Sequence, residues 1–356
     1  MLKYLKIIED TTECPHNKSK SEIGIGMDSC IIPTKNDKST FLIQTTDFFT
    51  PLVDDPYLTG RISACNVLSD LFACGVATCD NVLMLLGSCT KFTAEERDVV
   101  VPLMMKGFND ACLEAGTLVR GGHSTVNPWP IIGGVATSVA AEKDFVMPIN
   151  AKIGQKLVLT KPLGTQIAVN LYQWFDQKHN FYERTEKFVA KNNAKNVPNL
   201  GLDQITKNMY NDACFSMATL NQKSALAMTK FNATSGTDIT GFGILGHAEN
   251  LAKAQTEAQN LTFKITKLPL LKHCKEIDQE FEFFKLLKGF SAETSGGLLV
   301  TLDEENVQDF IDFVEKETKI KPWVIGEVVQ KINNEFAVIS EDVEIVDVEN
   351  LCASEL

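Results

Sequence analysis

The alternation of hydrophobic and polar positions predicts a chain built from short strands and longer helices. Residues 41–47 begin apolar and end in four polar residues, and residues 81–87 form an apolar run between turn formers. Short apolar runs bounded in this way are typical of strands. Further strands are predicted at residues 118–119, 131–137, 156–160, 296–301, 323–329 and 336–339.

Helices are marked by their terminal residues as well as by their period. Residues 56–75 begin with a proline, place apolar residues on one side and stop at a glycine, which are the usual start and stop signals of a helix. Thr93 and Glu96 have the spacing of a capping box and predict a second helix that extends to about Gly116. Helical period also occurs at residues 307–314 and over much of 164–256, with a break near 236–243.

An irregular stretch at residues 148–154 separates the elements into two groups. Strands and helices alternate on both sides of it, which predicts two domains of the α/β or α+β class. We place the first domain at residues 23–150 and the second at 151–356, after a flexible polar segment at 1–22. In the first domain, a loop at the glycine pair 121–122 is expected to join two strands.

The charge of the chain limits its partners. Its 356 residues include 34 Lys and Arg against 46 Asp and Glu, a formal net charge of −12. Such a surface repels polyphosphate backbones, which excludes a general nucleic-acid binder. An acidic chain can still bind a nucleotide when a metal ion lies between its carboxylates and the phosphates.

Cysteine usage and hydropathy indicate a reducing, aqueous compartment. Ten cysteines occur, none in a CxxC pair, which favours buried thiols over a disulfide framework. No apolar run reaches the ~18 residues of a membrane span, and the amino terminus lacks the pattern of a signal peptide. We therefore expect a cytoplasmic protein that binds neither membranes nor nucleic acid.

Four aspartates occupy unusual places. Asp28 precedes an apolar pair, Asp47 ends a strand, Asp70 interrupts an apolar helix, and Asp238 comes just before a helix. Each could be a cap, a turn or a satisfied polar group. A buried carboxylate must however be paired or bound to a metal, and oxygen ligands from several segments suit Mg²⁺ shared with substrate phosphates. A magnesium site is therefore an alternative to four separate structural roles.

Glycines cluster where backbone amides could contact phosphates, at residues 121–124, 241–243 and 294–297. Glycine lets N–H groups come close to phosphate oxygens, and a helix N-terminus adds a favourable partial charge. The sequence has neither a Walker A motif nor GxGxxG after a strand, which argues against P-loop and Rossmann folds. His123 and His247 lie beside glycines and are candidates either for acid–base chemistry or for hydrogen-bonding anchors.

Ten short motifs occur in the order found in one known family. They are GMDSC (26–30), QTTDFF (44–49), VDDPY (53–57), GR (60–61), NVLSD (66–70), GGH (121–123), NPW (127–129), TKPLGT (160–165), TDITGFGILGH (237–247) and ETSGG (293–297). On these motifs the chain resembles the eukaryotic-type selenophosphate synthetases (selenide, water dikinases), which belong with aminoimidazole ribonucleotide synthetase in one superfamily.

The resemblance implies a two-domain aminoimidazole ribonucleotide synthetase-like fold, α/β followed by α+β. The N-terminal domains of two subunits would form a shared β-barrel in a homodimer, and the C-terminal domain would cover the nucleotide. The implied reaction converts ATP, selenide and water into selenophosphate, AMP and phosphate. Its implied cofactor is Mg²⁺, with K⁺ as a further candidate.

The resemblance also implies roles for individual residues. The metal ligands would be Asp28, Asp70 and Asp238. The ATP-binding residues would be Gly26, Met27, Asp28, Asp47 and Asp70 in one subunit and Gly121, Gly122, His123 and Ser124 from its partner. Lys161, the nearest cation in a matched motif, would have either a phosphate-binding or a structural role.

The chain departs from the family pattern at its amino terminus. Members begin with a glycine-rich segment that holds a cysteine or selenocysteine and, three residues later, a lysine. Cys14 has no glycine loop, and Asn17 stands where the lysine would be, so we identify no catalytic nucleophile. A shortened chain, a start downstream of a selenocysteine codon and a paralogue without selenide chemistry are three explanations, and we expect the complete protein to be longer.

Two other functions stay open. One is a synthetase of the same superfamily with another substrate, which the motifs at residues 127–129 and 160–164 argue against. The other is a non-catalytic dimeric regulator that keeps nucleotide binding, which the missing nucleophile segment favours.

Overall fold

Strands from the two halves of the chain form two separate mixed sheets. The structure is a computed structural model that describes residues 23–24, 26–176, 183 and 202–351. The first sheet contains β1 (Cys30–Pro33), β2 (Thr40–Phe49), β3 (Asn81–Cys89), β4 (Val119–Asn127) and β5 (Ile131–Ala141). Their spatial order is β1-β2-β5-β3-β4, and only β3 and β4 are parallel neighbours within this sheet.

Two helices, α1 (Pro56–Ala73) and α2 (Ala94–Glu114), pack on one face of the first sheet. The predicted capping box at the start of α2 is present, with Glu96 N–H bonded to the Thr93 hydroxyl at 3.1 Å. Helix α1 also contacts strands and helices of the second half, and side chains on nearly all its faces are buried. Because α1 lies between the two halves, its one carboxylate, that of Asp70, lies close to residues of both.

The second sheet carries the remaining strands. They are β6 (Lys156–Leu159), β7 (Ser235–Asp238), β8 (Leu261–Leu271), β9 (Leu298–Leu302), β10 (Trp323–Gln330) and β11 (Ala337–Val348). The spatial order is β11-β8-β10-β6-β9-β7, with only the β11–β8 pair parallel among the described strands. The helices of this half are α3 (Thr165–Asp176), α4 (Leu202–Ala218), α5 (Gln222–Lys230), α6 (Gly243–Ala254), α7 (Cys274–Phe281) and α8 (Glu304–Thr318).

Most predicted elements are confirmed, and the glycine-pair loop is wrong. Gly121 and Gly122 lie in the middle of β4, opposite Leu83 and Met84 of β3. A Cβ on Gly122 would lie 1.8 Å from the Met84 carbonyl oxygen, and its φ is +144°. Glycine is needed here for the close approach of two strands and not for a turn.

Some predictions fall outside the described residues. These are the flexible segment at residues 1–22 with Cys14, and residues 177–182 and 184–201 of the long helical stretch. No helix in the described ranges combines the length and the apolar character that crossing a membrane requires. The described cysteines form no disulfide, and all of them except Cys30 are buried.

Candidate metal and nucleotide site

Three carboxylates from distant parts of the chain meet at one point. Asp28, Asp70 and Asp238 each offer an oxygen, and these oxygens lie within 4.8 Å of one another. Such oxygens can all reach a single hard cation. The three residues predicted as metal ligands are therefore brought together, and we call them the aspartate triad.

Each member of the triad is positioned by a different kind of local structure. Asp28 lies in a turn that is closed by paired backbone hydrogen bonds between Ile23 and Ile31, at 3.0 and 2.9 Å. Asp70 lies near the end of α1. Asp238 is the last residue of β7, where it pairs with Leu298 of β9. A turn before β1, the central helix and a strand of the second sheet thus each contribute one carboxylate.

Neighbouring hydroxyl groups orient the triad. The Thr237 hydroxyl donates to Asp28 Oδ1 at 3.0 Å, and the Thr45 hydroxyl donates to Asp70 Oδ2. The Asp28 Oδ2 and Asp238 Oδ2 atoms are buried and have no hydrogen-bond partner among the described residues. Because buried polar oxygens are nearly always satisfied, these two orphaned atoms fit a site made for a cation.

Burial and mutual repulsion raise the pKa values of the triad. Burial is the main cause of the raised pKa of Asp28, and the charge of Asp238 adds to it. The pKa of Asp70 is likewise raised by burial and then by the charges of Asp238 and Asp28. Burial raises the pKa of Asp238 to about 6, although a hydrogen bond from Ser69 opposes the shift. A bound divalent cation would relieve the repulsion between the three carboxylates.

Asp47 is a fourth carboxylate beside the triad. It accepts a hydrogen bond from the side-chain amide of Asn66 and another from Phe48 N–H at 2.9 Å. Burial raises its pKa, and its charge contributes to the raised pKa values of Asp70 and Asp238. Asp47 is therefore close enough to act on the same ligand without being a member of the triad.

The predicted ATP-binding residues divide into two groups. Gly26 and Met27 lie directly beside Asp28, and a Cβ on Gly26 would meet no atom within 4 Å, so the turn is open there. The residues at 121–124 are exposed on β4, at the far edge of the first sheet. Two strands separate β4 from the β2 strand that carries Asp47, which corresponds to roughly 14 Å at the usual strand spacing. A single chain does not bring these two groups together.

His247 occupies the position of a hydrogen-bonding anchor. Its Nε2 accepts a hydrogen bond from Thr240 N–H at 3.0 Å and lies 3.4 Å from the nitrogen of Phe242. Burial lowers the pKa of His247 to about 4, so the ring is neutral near pH 7. It holds the turn that follows Asp238. His123 lies on the exposed strand β4, away from the triad of its own chain.

Lys161 takes a structural position. Its side chain is buried, and Nζ donates to two backbone carbonyl oxygens, those of Thr219 at 2.6 Å and Ser295 at 2.9 Å. Burial lowers the pKa of Lys161 to about 8, while the charges of Cys65 and Asp238 oppose this shift. Of the two roles that the sequence left open, the contacts of Lys161 are those of the structural one.

Several site residues were not predicted from the sequence. Thr45 and Thr237 hold the triad, and Asn66 holds Asp47. Asn66 and Asp70 are four residues apart in α1, so helical spacing places both on one face and could have indicated the pair. The threonines carry no comparable signal, because a threonine near a carboxylate is common in strands and turns.

Glu293 was also missed. Its carboxylate accepts hydrogen bonds from Gly164 N–H at 2.7 Å and Thr165 N–H at 2.9 Å, at the start of α3, and from the Thr165 hydroxyl. Burial raises the pKa of Glu293 to about 7 against the effect of these hydrogen bonds. Glu293 thereby connects the segment at residues 160–165 to the segment at residues 293–297.

Known proteins share this architecture and sequence. Two family profiles match, AIR synthase related protein, N-terminal domain, over residues 26–140, and AIR synthase related protein, C-terminal domain, over 152–338. The chain is 46% identical over 332 residues to the selenide, water dikinase of Dictyostelium discoideum, which covers 92% of this chain and 87% of that protein. It is 46% identical over 323 residues to selenide, water dikinase 2 of Homo sapiens, covering 90% and 68%.

The chain belongs to the selenide, water dikinase family. This confirms the resemblance on which the expected reaction depends. Selenide, water dikinases make selenophosphate from selenide, ATP and water. The triad lies on three of the family motifs, at 26–30, 66–70 and 237–247.

Solved structures with the same fold extend beyond the selenide, water dikinases. Thiamine monophosphate kinase from Aquifex aeolicus has a TM-score of 0.61 at 17% identity and covers 98% of this chain and 100% of its own. The hydrogenase maturation protein HypE in complex with ATP has a TM-score of 0.62 at 13% identity, covering 98% and 93%. These neighbours confirm the predicted two-domain fold. The β-barrel shared by two subunits stays a prediction.

Proposed function

We propose that the chain binds Mg²⁺ and ATP at the aspartate triad and converts ATP, selenide and water into selenophosphate, AMP and phosphate. The convergence of Asp28, Asp70 and Asp238, with two orphaned buried oxygens in a member of this family, is the observation that carries the proposal. Mg²⁺ prefers carboxylate oxygens and is commonly shared with substrate phosphates. K⁺ stays a further candidate cofactor that only the family resemblance suggests.

In this proposal the chain's own residues mainly bind and orient. Magnesium would neutralise charge on the phosphates, which is the main requirement of phosphoryl transfer. Thr45 and Thr237 fix the carboxylate orientations through their hydroxyl groups. Gly26, Met27 and Asp47 would border the ATP, since they lie beside the triad and the turn at Gly26 is open.

We also propose a homodimer formed through the first sheet. The face opposite α1 and α2 exposes large apolar side chains, with Phe48 56% exposed and Val139 52% exposed. Beyond them, β4 is an edge strand whose Val126 is 68% exposed. Open edges and apolar patches of this kind are usually covered by a partner. A second copy on this face would bring residues 121–124 towards the neighbouring subunit's triad.

The buried thiols support a cytoplasmic location in this proposal. Reduced cysteines such as Cys65, Cys112 and Cys274 lie in the cores of both halves. Thiols of this kind are usual in a reducing compartment.

The reaction is tested by incubating the chain with ATP, Mg²⁺ and selenide and following ³¹P NMR signals. We expect AMP, phosphate and selenophosphate to form when the chain carries the cysteine–lysine segment of a relative at its amino terminus, and Asp238→Asn to abolish all three. Comparing the chain with and without this segment tests whether the departure from the family pattern around Cys14 limits turnover. ATP binding without turnover, with and without that segment, would contradict the enzymatic proposal and favour a nucleotide-binding regulator.

A further inference from the structure

Lys161 joins two segments that are connected by hydrogen bonds to the carboxylates of the site. It follows β6 and is 2% exposed. Its two carbonyl partners belong to the turn after α4, at Thr219, and to the segment before β9, at Ser295. The ammonium group therefore fixes the positions of both segments.

The Ser295 segment leads to Asp47. Ser295 N–H donates to Asn66 Oδ1 at 2.8 Å, and the Asn66 amide donates in turn to Asp47. A shift of the Ser295 backbone would therefore move the side chain that holds Asp47.

The Thr219 segment leads to Asp238. Two residues further on, the buried Asn221 donates to Ser69 Oγ at 2.9 Å and to the Gly296 carbonyl at 2.8 Å. Ser69 makes the hydrogen bond to Asp238. Lys161 and Asn221 thus hold the same two segments together, one by a charged group and the other by a neutral amide.

Close backbone packing makes this arrangement sensitive to Lys161. A Cβ on Gly297 would lie 2.4 Å from the Lys161 backbone nitrogen, and one on Gly296 would lie 2.1 Å from the Ile239 carbonyl oxygen. The glycine pair that follows Ser295 is therefore in close backbone contact with Lys161 and with Ile239, the residue that follows Asp238.

We propose that Lys161 is a positioning residue for the cation site, whose ammonium group sets the geometry of the triad and of Asp47 through the carbonyls of Thr219 and Ser295. This inference rests on the proposed metal site. A positioning role and a purely electrostatic role of Lys161 predict changes of opposite sign in cation affinity when the ammonium group is removed. Removal of a positive charge near Asp238 would by itself strengthen the binding of a cation, whereas loss of positioning weakens it.

The test measures Mn²⁺ binding to the full chain by the electron paramagnetic resonance signal of free Mn²⁺. Lys161→Met removes the ammonium and keeps most of the side-chain volume. Lys156→Met is the matched control, because Lys156 is a lysine in the same half of the molecule whose ion pairs are with Glu304 and Glu327. We expect Lys161→Met to bind Mn²⁺ about tenfold or more weakly, as is typical when groups that orient metal ligands are lost, and Lys156→Met to bind as the wild type does.

Unchanged or tighter Mn²⁺ binding by a folded Lys161→Met protein would overturn the inference and leave the triad intact. If Lys161→Met does not fold, Asn221→Ala decides, because it removes another hydrogen bond between the same two segments, the one to the Gly296 carbonyl, without changing the charge. Weaker binding by Asn221→Ala supports positioning, and wild-type binding overturns it. If the wild type binds no Mn²⁺, or Asp238→Asn binds as the wild type does, the proposed metal site itself has failed.

Discussion

Asn66 and Ser295 connect the two halves of the molecule through one hydrogen bond of 2.8 Å, from the Ser295 backbone N–H to Asn66 Oδ1. Asn66 lies on α1, which packs on the first sheet, and Ser295 precedes β9 of the second. The other end of the Asn66 amide holds Asp47. The position of Asp47, beside the triad, therefore depends on residues from both halves of the chain.

Asp238→Asn should weaken cation binding strongly without destabilising the protein. Asp238 Oδ2 has no hydrogen-bond partner in the described part of the chain, and its charge repels Asp28 and Asp70. We expect Mn²⁺ and Mg-ATP affinities to fall at least about tenfold, while the urea midpoint without metal stays equal or rises. Asp98→Asn, an exposed change on α2, is the control for both measurements. A large loss of stability with unchanged affinity would contradict the metal assignment.

Gly107→Ala should separate the two helices on the first sheet. A Cβ on Gly107 would lie 1.9 Å from the Tyr57 carbonyl oxygen of α1. We expect a loss of about 1–3 kcal/mol in the free energy of unfolding, measured in urea, because overpacking forces the backbones apart. Gly241→Ala, whose Cβ would meet no atom within 4 Å, should cost much less. Equal stabilities of the two variants would contradict the close packing of α1 on α2.

His247 should make stability fall in acid. Burial lowers its pKa in the folded chain to about 4 from 6.5. As the pH falls from about 6.5 to about 4, the unfolded chain therefore binds a proton that the folded chain does not, and stability decreases by about 3 kcal/mol from this residue.

His247→Gln should remove this part of the pH dependence. The glutamine carbonyl can still accept from Thr240 N–H, so the turn can keep its anchor. We would measure unfolding free energies at several pH values, with His123→Gln as the exposed control. The same pH slope in the wild type and in His247→Gln would show that the ring is not held neutral.

Phe48→Glu should break the proposed dimer. Phe48 lies on the open face of the first sheet, where a charged side chain would have to be buried against a second copy. We expect light scattering to give a dimer mass for the wild type and a monomer mass for Phe48→Glu. The control is Val99→Glu, since the Val99 side chain on α2 is already 58% exposed. This variant should stay dimeric. A wild type that is monomeric at micromolar concentration would contradict this interface.

The sequence predicts the triad because unusual residue types mark it. Asp70 lies inside the apolar helix α1, and Asp28 lies between a glycine-containing turn and strand β1. A carboxylate at either place needs a partner, and a cation shared by both would be one. Family motifs then select Asp28, Asp70 and Asp238 from the other acidic residues. The structure brings these three together, as expected.

The sequence fails where spacing depends on tertiary contacts. The glycines at 121 and 122 suggest a turn, yet the close approach of β3 and β4 is what requires Gly122. Strand β8 is not predicted, since Pro269 and two lysines interrupt its apolar pattern. The buried contacts of Lys161 with Ser295 and of Glu293 with Gly164 join segments more than a hundred residues apart, and no local pattern indicates such pairs.

Diffraction from a crystal grown with Mn²⁺ and a non-hydrolysable ATP analogue tests the cation site most directly. We predict an anomalous Mn²⁺ peak with oxygens of Asp28, Asp70 and Asp238 at about 2.1–2.2 Å, close to the distances of Mg²⁺, and with a phosphate oxygen on the same ion. A fully occupied nucleotide whose Mn²⁺ lies elsewhere, with the three carboxylates bound to no ion, would contradict it.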